Sequence, residues 1–237
     1  MKKAIVIGAT SGIGKELARI LHLNGYAVGM AGRRTELLRQ LQGELPGSRV
    51  REIDVSSADE AMTLLKELIR EMGGMDLAVI GSGVGFVNPG LYWKREKETI
   101  DVNVSGFAAV AGAAFKHFSD QGSGHIVGIS SIAALRGSSE APAYNASKAF
   151  VSNYLEGLRQ KAIKSGAAIA VTDIRPGFVD TAMMKGKGLF WVSSPETAAL
   201  QIYQAIARKK KRAYVTKRWS LIALALKVMP DWIYDRF

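Results

Sequence analysis

The sequence predicts a doubly wound α/β fold, a single domain on a parallel sheet of about seven strands with helices on both faces. Three observations carry that expectation. Short apolar runs alternate with longer helical patterns along most of the 237 residues. Runs such as Ala4–Ile7 and Leu77–Ile80 are apolar at successive positions, as strands buried on both faces require. A glycine-rich turn, Gly8-Ala9-Thr10-Ser11-Gly12-Ile13-Gly14, joins the first apolar run to the first helical pattern.

The elements follow in order. Residues 3–7 read as the first strand, with a helix from about Gly12 to Asn24. Residues 26–31 are the second strand and 34–43 its helix; 49–53 are the third, followed by a helix over 57–72. Strand four covers 76–81, and a long helix is expected from about 95 to 119. Strand five spans 124–130, the next helix 143–165 and strand six 168–174. Ser193 and Glu196 have capping-box spacing, which starts a helix there. Ala213–Thr216 supplies a seventh strand. The sequence shows neither internal repeat nor linker, so residues 1–217 read as one domain and 218–237 as an apolar, aromatic C-terminal extension.

Composition narrows the chemistry. There is no cysteine, which excludes disulfides, thiolate zinc sites and cysteine nucleophiles, and fits a reducing, cytoplasmic setting. His22, His117 and His125 are scattered, with no carboxylate at ligand or triad spacing, so no metal site is expected. The N-terminal apolar run is too short for a signal peptide, and no stretch is long enough to span a bilayer. The formal charge is +11, of which seven positives fall in the acid-free window Arg208–Arg218; the remainder carries +4. Beyond charge, no recognition motif supports nucleic acid as a partner.

The glycine turn is a candidate nucleotide site. Gly8, Gly12 and Gly14 permit the turn, close backbone approach to a phosphate, and tight helix–strand packing, while the helix N-terminus offers free N–H groups. The spacing is Gly-x-x-x-Gly-x-Gly rather than the commoner Gly-x-Gly-x-x-Gly. At the end of strand two an acid would hold the ribose of NAD, whereas arginine accommodates the 2′-phosphate of NADP. Arg33 and Arg34 stand there with no acid before Glu36, which favours NADP(H) over NAD(H).

Tyr144 and Lys148, four apart, share one face of a helix, and Ser131 lies thirteen residues upstream. A phenol is a poor proton carrier at neutral pH, and a nearby ammonium is expected to lower its pKa into the working range. Tyr144 is thus a candidate acid/base, Lys148 its tuner, and Ser131 a hydrogen-bond donor to a developing oxyanion.

These residues resemble the short-chain dehydrogenase/reductase family over nearly all of residues 1–217, which implies a Rossmann-like fold and hydride transfer. Thr10-Ser11-Gly12-Ile13-Gly14 resembles the family's cofactor motif, and Asp54-Val55 the pair that meets adenine. Asn103, Ser131, Tyr144 and Lys148 match the catalytic tetrad, with Asn103 supporting a water by resemblance alone. Pro176-Gly177, with Val179 and Thr181 beyond, matches the segment around nicotinamide. The family often has Asn-Asn-Ala-Gly after strand four, where this chain has Ile80-Gly81-Ser82-Gly83; Gly83 is kept, but the missing amides put local sheet bonding in question. The resemblance also implies a homo-oligomer, dimer or tetramer, paired through the helices near 95–119 and 143–165.

Two segments bear on the substrate. Ala182–Val192, with two glycines between Met, Phe and Trp residues, is expected to be a lid over an apolar carbonyl or alcohol. The stretch 208–237 joins cations to an apolar helix with aromatic ends, which suits a peripheral membrane contact or a helix packed on the protein. The expected activity is therefore NADP(H)-dependent interconversion of an apolar carbonyl and its alcohol. A 3-oxoacyl thioester reductase and a non-catalytic NADP(H)-sensing module remain the alternatives, although retention of the four tetrad residues counts against the module.

Overall fold

The computed structural model describes residues 1–182 and 190–236. Among them, β1 (Lys3–Ile7), β2 (Ala27–Gly32), β3 (Arg49–Glu52), β4 (Leu77–Ile80), β5 (Ser123–Ile129), β6 (Ala168–Pro176) and β7 (Arg212–Val215) form one sheet. Every pairing is parallel, in the order β3-β2-β1-β4-β5-β6-β7. The helices are α1 (Gly12–Leu23), α2 (Thr35–Glu44), α3 (Ala58–Glu71), α4 (Trp93–Ile100), α5 (Phe107–Gln121), α6 (Pro142–Ser165), α7 (Pro195–Ala207), α8 (Trp219–Val228) and α9 (Asp231–Tyr234).

The strand period of two divides the apolar runs between two cores. Ile5 and Ile7 face one side, with Leu65 and Leu68 of α3, Phe107 and Val110 of α5, and Leu155 of α6. Ala4 and Val6 face the other, with Leu17 and Leu21 of α1, Leu38 of α2 and Ile202 of α7. Ala4, Ile5, Val6 and Ile7 are all fully buried, which is why the run does not alternate with polar residues.

Two expectations need correction. The long helix begins at Trp93 and is interrupted: a π-helical turn, Asp101–Gly106, separates α4 from α5. At its end the backbone closes on the Val55 carbonyl, which a side chain at Gly106 would overlap. The cap of α7 is Ser194, whose hydroxyl accepts from the Thr197 amide at 3.2 Å. Ser193 is instead drawn into a bridge with Val179.

Candidate active site

The strand order reverses between β1 and β4, so the connections leave their C-terminal ends in opposite directions and open a crevice. Gly8 turns out of β1 with φ 93°, and its amide and that of Ala9 both donate to the Ala31 carbonyl, at 2.8 and 3.1 Å. A Cβ on Gly8 would stand 2.6 Å from the Ser82 nitrogen, and one on Gly14 would overlap the Gly8 carbonyl. Ser11 precedes α1 without capping it; its hydroxyl accepts from Arg34 instead. The first amides of α1, at Gly12, Ile13 and Gly14, therefore face outward for an anionic acceptor. Glycine cradle and open helix end together fit the pyrophosphate of a dinucleotide.

Arg34 reaches across this turn, and its guanidinium donates to Thr10 Oγ1 at 2.6 Å and Ser11 Oγ at 2.7 Å. Arg33 is exposed beside it at the end of β2. Asp54, just past β3, spends one carboxylate oxygen on the amide and hydroxyl of Ser56, at 3.0 and 2.8 Å. Val55 is buried, and its carbonyl lies against Gly106.

The other residues converge at the ends of β4, β5 and β6. Ser131 follows β5 and starts a short 3-10 turn, Ile132–Leu135, its hydroxyl accepting from the Ala133 amide at 3.1 Å. Tyr144 sits in the first turn of α6, with the Ser131 hydroxyl acting on its phenol. Lys148, one turn on, is only 5% exposed; its Nζ donates to the Ile129 carbonyl at 3.1 Å and stands 5.8 Å from the Tyr144 ring centroid. Burial pulls this lysine down to about 8, with the Asp173 carboxylate opposing. Burial also pushes the Tyr144 phenol up, and the Ser131 hydroxyl draws it back. The expected lowering of Tyr144 by Lys148 is therefore reversed: desolvation dominates, and the ammonium is turned to a carbonyl.

Asn103 comes from the π turn. Its Nδ2 donates to the Val84 carbonyl at 2.7 Å and to Ser147 Oγ at 3.0 Å, while its Oδ1 accepts from the Val84 amide at 2.8 Å. Gly83 lies under it: a Cβ there would be 3.3 Å from both Asn103 Oδ1 and Lys148 Nζ.

The sequence model of the short chain dehydrogenase family matches residues 2–189. The chain belongs to this family. It is 39% identical to an uncharacterized oxidoreductase of Myxococcus xanthus (strain DK1622), over 99% of this chain and 95% of that one. Its fold is similar to serine dehydrogenase complexed with NADP+, with TM-score 0.77 and 25% identity, covering 86% of this chain and 88% of the other. It is also similar to a variant of actinorhodin polyketide ketoreductase with NADPH, with TM-score 0.80 and 25% identity over 96% and 97% of the two chains. The protein is thus an NAD(P)-dependent short-chain dehydrogenase/reductase.

For a short-chain dehydrogenase with Ile80-Gly81-Ser82-Gly83, the sheet question has an answer. Gly81 donates to the Ile7 carbonyl at 2.8 Å, and Ile80 keeps its register with Gly128. Among the described residues, Ser82 Oγ is buried without a hydrogen-bond partner. The bonding of the following backbone comes from Asn103, at Val84.

The segment after β6 joins the site to the C-terminal extension. Thr181 Cγ2 would be 2.9 Å from a Cβ on Gly12, which sets Thr181 over the glycine turn. Gly177, after Pro176, lies flat under the Trp219 indole, where any side chain would overlap the ring. Val179 pairs with Ser193, bringing the two ends of the expected lid together. Met183–Leu189 of that lid lie outside the described residues. Phe190 and Trp191 are described, and they pack with Phe178 and Trp219 at centroid distances of 5.1 to 6.1 Å.

Sequence reasoning missed Asp173, Ser130, Ser152 and Arg175, which form a buried network behind Lys148. A signal was present. Asp173 and Arg175, two apart in a strand that is apolar apart from Thr172, must share a face and so can pair.

Proposed function

We propose that this enzyme is an NADP(H)-dependent oxidoreductase that interconverts an apolar carbonyl compound and its alcohol through Ser131, Tyr144, Lys148 and Asn103. The observation that carries this reading is the convergence of the Ser131 and Tyr144 hydroxyls at the ends of β5 and α6, with a buried Lys148 beside the Tyr144 ring. Gly8, Thr10, Ser11, Gly12, Ile13 and Gly14 would hold the pyrophosphate, Asp54 and Val55 the adenine, and Gly83, Pro176, Gly177, Val179 and Thr181 the nicotinamide half. Arg33 and Arg34 would take the 2′-phosphate, for which a guanidinium fork has the matching geometry. When bound, the cofactor supplies or accepts a hydride at the carbonyl carbon.

The chain's own residues handle the oxygen. In reduction, Tyr144 gives its hydroxyl proton to the carbonyl oxygen as that oxygen gains charge, leaving a phenolate. Ser131 donates to the same oxygen and fixes its position. Lys148, pulled down to about 8, keeps an ammonium near that phenolate at neutral pH and can supply a replacement proton. Asn103 holds the Val84 backbone and Ser147, and so sets the wall behind Lys148. The aromatic group Phe178, Phe190, Trp191 and Trp219 beside Gly177 favours an apolar substrate. The likeness to a polyketide ketoreductase favours 3-oxoacyl thioesters as a second substrate class.

The test is NADPH oxidation against apolar aldehydes, ketones, diketones and acyl thioesters, run beside Tyr144→Phe. Turnover should fall roughly a thousandfold in the variant, the size of a lost general acid, while NADPH binding by fluorescence is retained. Full activity in Tyr144→Phe would refute the assignment.

A further inference from the structure

The C-terminal helix α8 is apolar on two opposite sides. Trp219 and Ala223 face inward and are each 2% exposed, with Trp219 resting on Gly177. Leu221, Leu224 and Val228, spaced three and four apart, form a stripe on the other side and are 61 to 70% exposed. A helix that only covered its own domain would need the inner set alone. Trp232 of α9 is also 65% exposed, and half-exposed Phe190 and Trp191 pack on Trp219 at the start of α8.

This segment is held in place at the mouth of the site. Arg136, five residues past Ser131, donates to the Met229 carbonyl at 3.2 Å and to Asp231 at 2.7 Å. Tyr234 donates to the Gly137 carbonyl at 2.6 Å, under the Arg136 guanidinium. The stripe is therefore fixed to the loop that carries Ser131.

Charge identifies the occupant. Lys217, Arg218, Lys227 and Arg236 are all exposed in this segment, against exposed Asp231 and Asp235, and Asp231 is already paired with Arg136. A second copy docking on this face across a two-fold axis would bring the same cations together, which disfavours self-pairing. An anionic lipid surface offers the opposite charge, apolar depth for leucine and valine, and an interfacial level suited to tryptophan.

We propose that the outer face of α8 and α9 docks this enzyme on anionic membrane surfaces, with its catalytic mouth turned toward the lipid. The second half rests on the function proposed above; the docking does not. The oxidoreductase would then draw its apolar carbonyl from the bilayer, because the element that touches lipid is the one that packs on Gly177 and on the turn after Ser131.

The experiment is flotation of the full-length protein with vesicles of phosphatidylcholine containing phosphatidylglycerol, against phosphatidylcholine alone, at low and high salt. The comparison is with Leu221→Asp/Leu224→Asp, two exposed positions whose replacement leaves the inner packing intact, checked by circular dichroism. Wild type should float with the anionic vesicles, less so at high salt, and the double variant should lose at least tenfold in partitioning. Turnover of a water-soluble carbonyl should be the same in both proteins, whereas turnover of a vesicle-dissolved one should drop in the variant. Equal flotation of the two proteins, or no flotation by wild type, overturns the docking. So does a wild-type dimer that the double variant splits into monomers with no lipid bound. Flotation with no turnover of any carbonyl would leave the docking standing and refute the catalytic reading alone.

Discussion

Asp173 accepts a hydrogen bond from Ser130 at 2.5 Å, which ties β6 to the residue before Ser131. Its second oxygen accepts from Ser152 at 2.7 Å, one helical turn beyond Lys148. A single buried carboxylate thus spans the strand end that bears Ser131 and the helix that bears Tyr144 and Lys148. Arg175 pairs with it at 2.7 Å, and Arg212 closes from the sheet edge at 3.5 Å. The same anion raises the affinity of Lys148 for its proton against the effect of burial.

The first prediction concerns pH. Reduction leaves a phenolate at Tyr144, which the Lys148 ammonium stabilises, so kcat/KM for reduction should fall as pH rises through about 8. Removing the Asp173 charge takes away the influence that favours the ammonium, so Asp173→Asn should move this limb to lower pH. Because the change leaves Arg175 buried without its carboxylate, Asp173→Asn/Arg175→Gln is made beside it. A purely structural role would cut activity at every pH and leave the limb where it was. An unmoved limb in either folded variant would refute the coupling.

Cofactor choice is the second. Arg34 donates to Thr10 and Ser11, and Arg33 is exposed beside it, so both guanidinium groups border the end of β2. Arg33→Ala and Arg34→Ala should each raise KM for NADPH by roughly 10- to 100-fold, the range of a charge-assisted hydrogen bond, with little change for NADH. Arg34→Ala also releases two hydroxyls of the glycine turn, so a small loss with NADH is expected there alone. If NADH gives the higher kcat/KM in the unmodified enzyme, the preference is wrong.

A third prediction follows from the face contact of Trp219 on Gly177. Trp219 is 2% exposed and packs on Phe178 and Phe190, so Trp219→Ala should cost about 3–5 kcal/mol of stability. Gly177→Val should destabilise comparably by driving the indole off, although it removes no apolar surface. Denaturant unfolding of both variants, with tryptophan fluorescence as the probe, reads the two effects. A Gly177→Val protein as stable as wild type would mean that the extension yields at no cost.

Much of the fold was legible because it rests on local patterns. Continuous apolar strands, turn glycines and amphipathic helices are properties of neighbouring residues, and their order dictates a doubly wound sheet. The glycine turn and the Tyr144–Lys148 spacing are local too. What escaped depends on tertiary geometry. The π turn at Asp101–Gly106 is set by a backbone approach to Val55, about fifty residues away in the chain. The raised pKa of Tyr144 comes from desolvation outweighing the Ser131 hydroxyl, and spacing does not encode burial.

The last prediction uses the histidine that the site does not. His125 lies in β5, 7% exposed, with Nε2 at 2.8 Å from Thr172 Oγ1. Burial, with Lys209 adding repulsion, holds it down to about 4, below the ordinary value of 6.5. The unfolded chain therefore binds one more proton than the folded chain between those limits, so stability is complete above 6.5 and declines as pH falls toward 4. At about 1.4 kcal/mol per pH unit, the loss between neutral pH and about pH 5 from this one group is on the order of 2 kcal/mol. His125→Leu should be less stable than wild type at neutral pH, because Thr172 loses a partner, yet it should lose less on acidification. Urea unfolding of both proteins at the two pH values checks this. Parallel losses in wild type and variant would show that His125 does not carry the acid sensitivity.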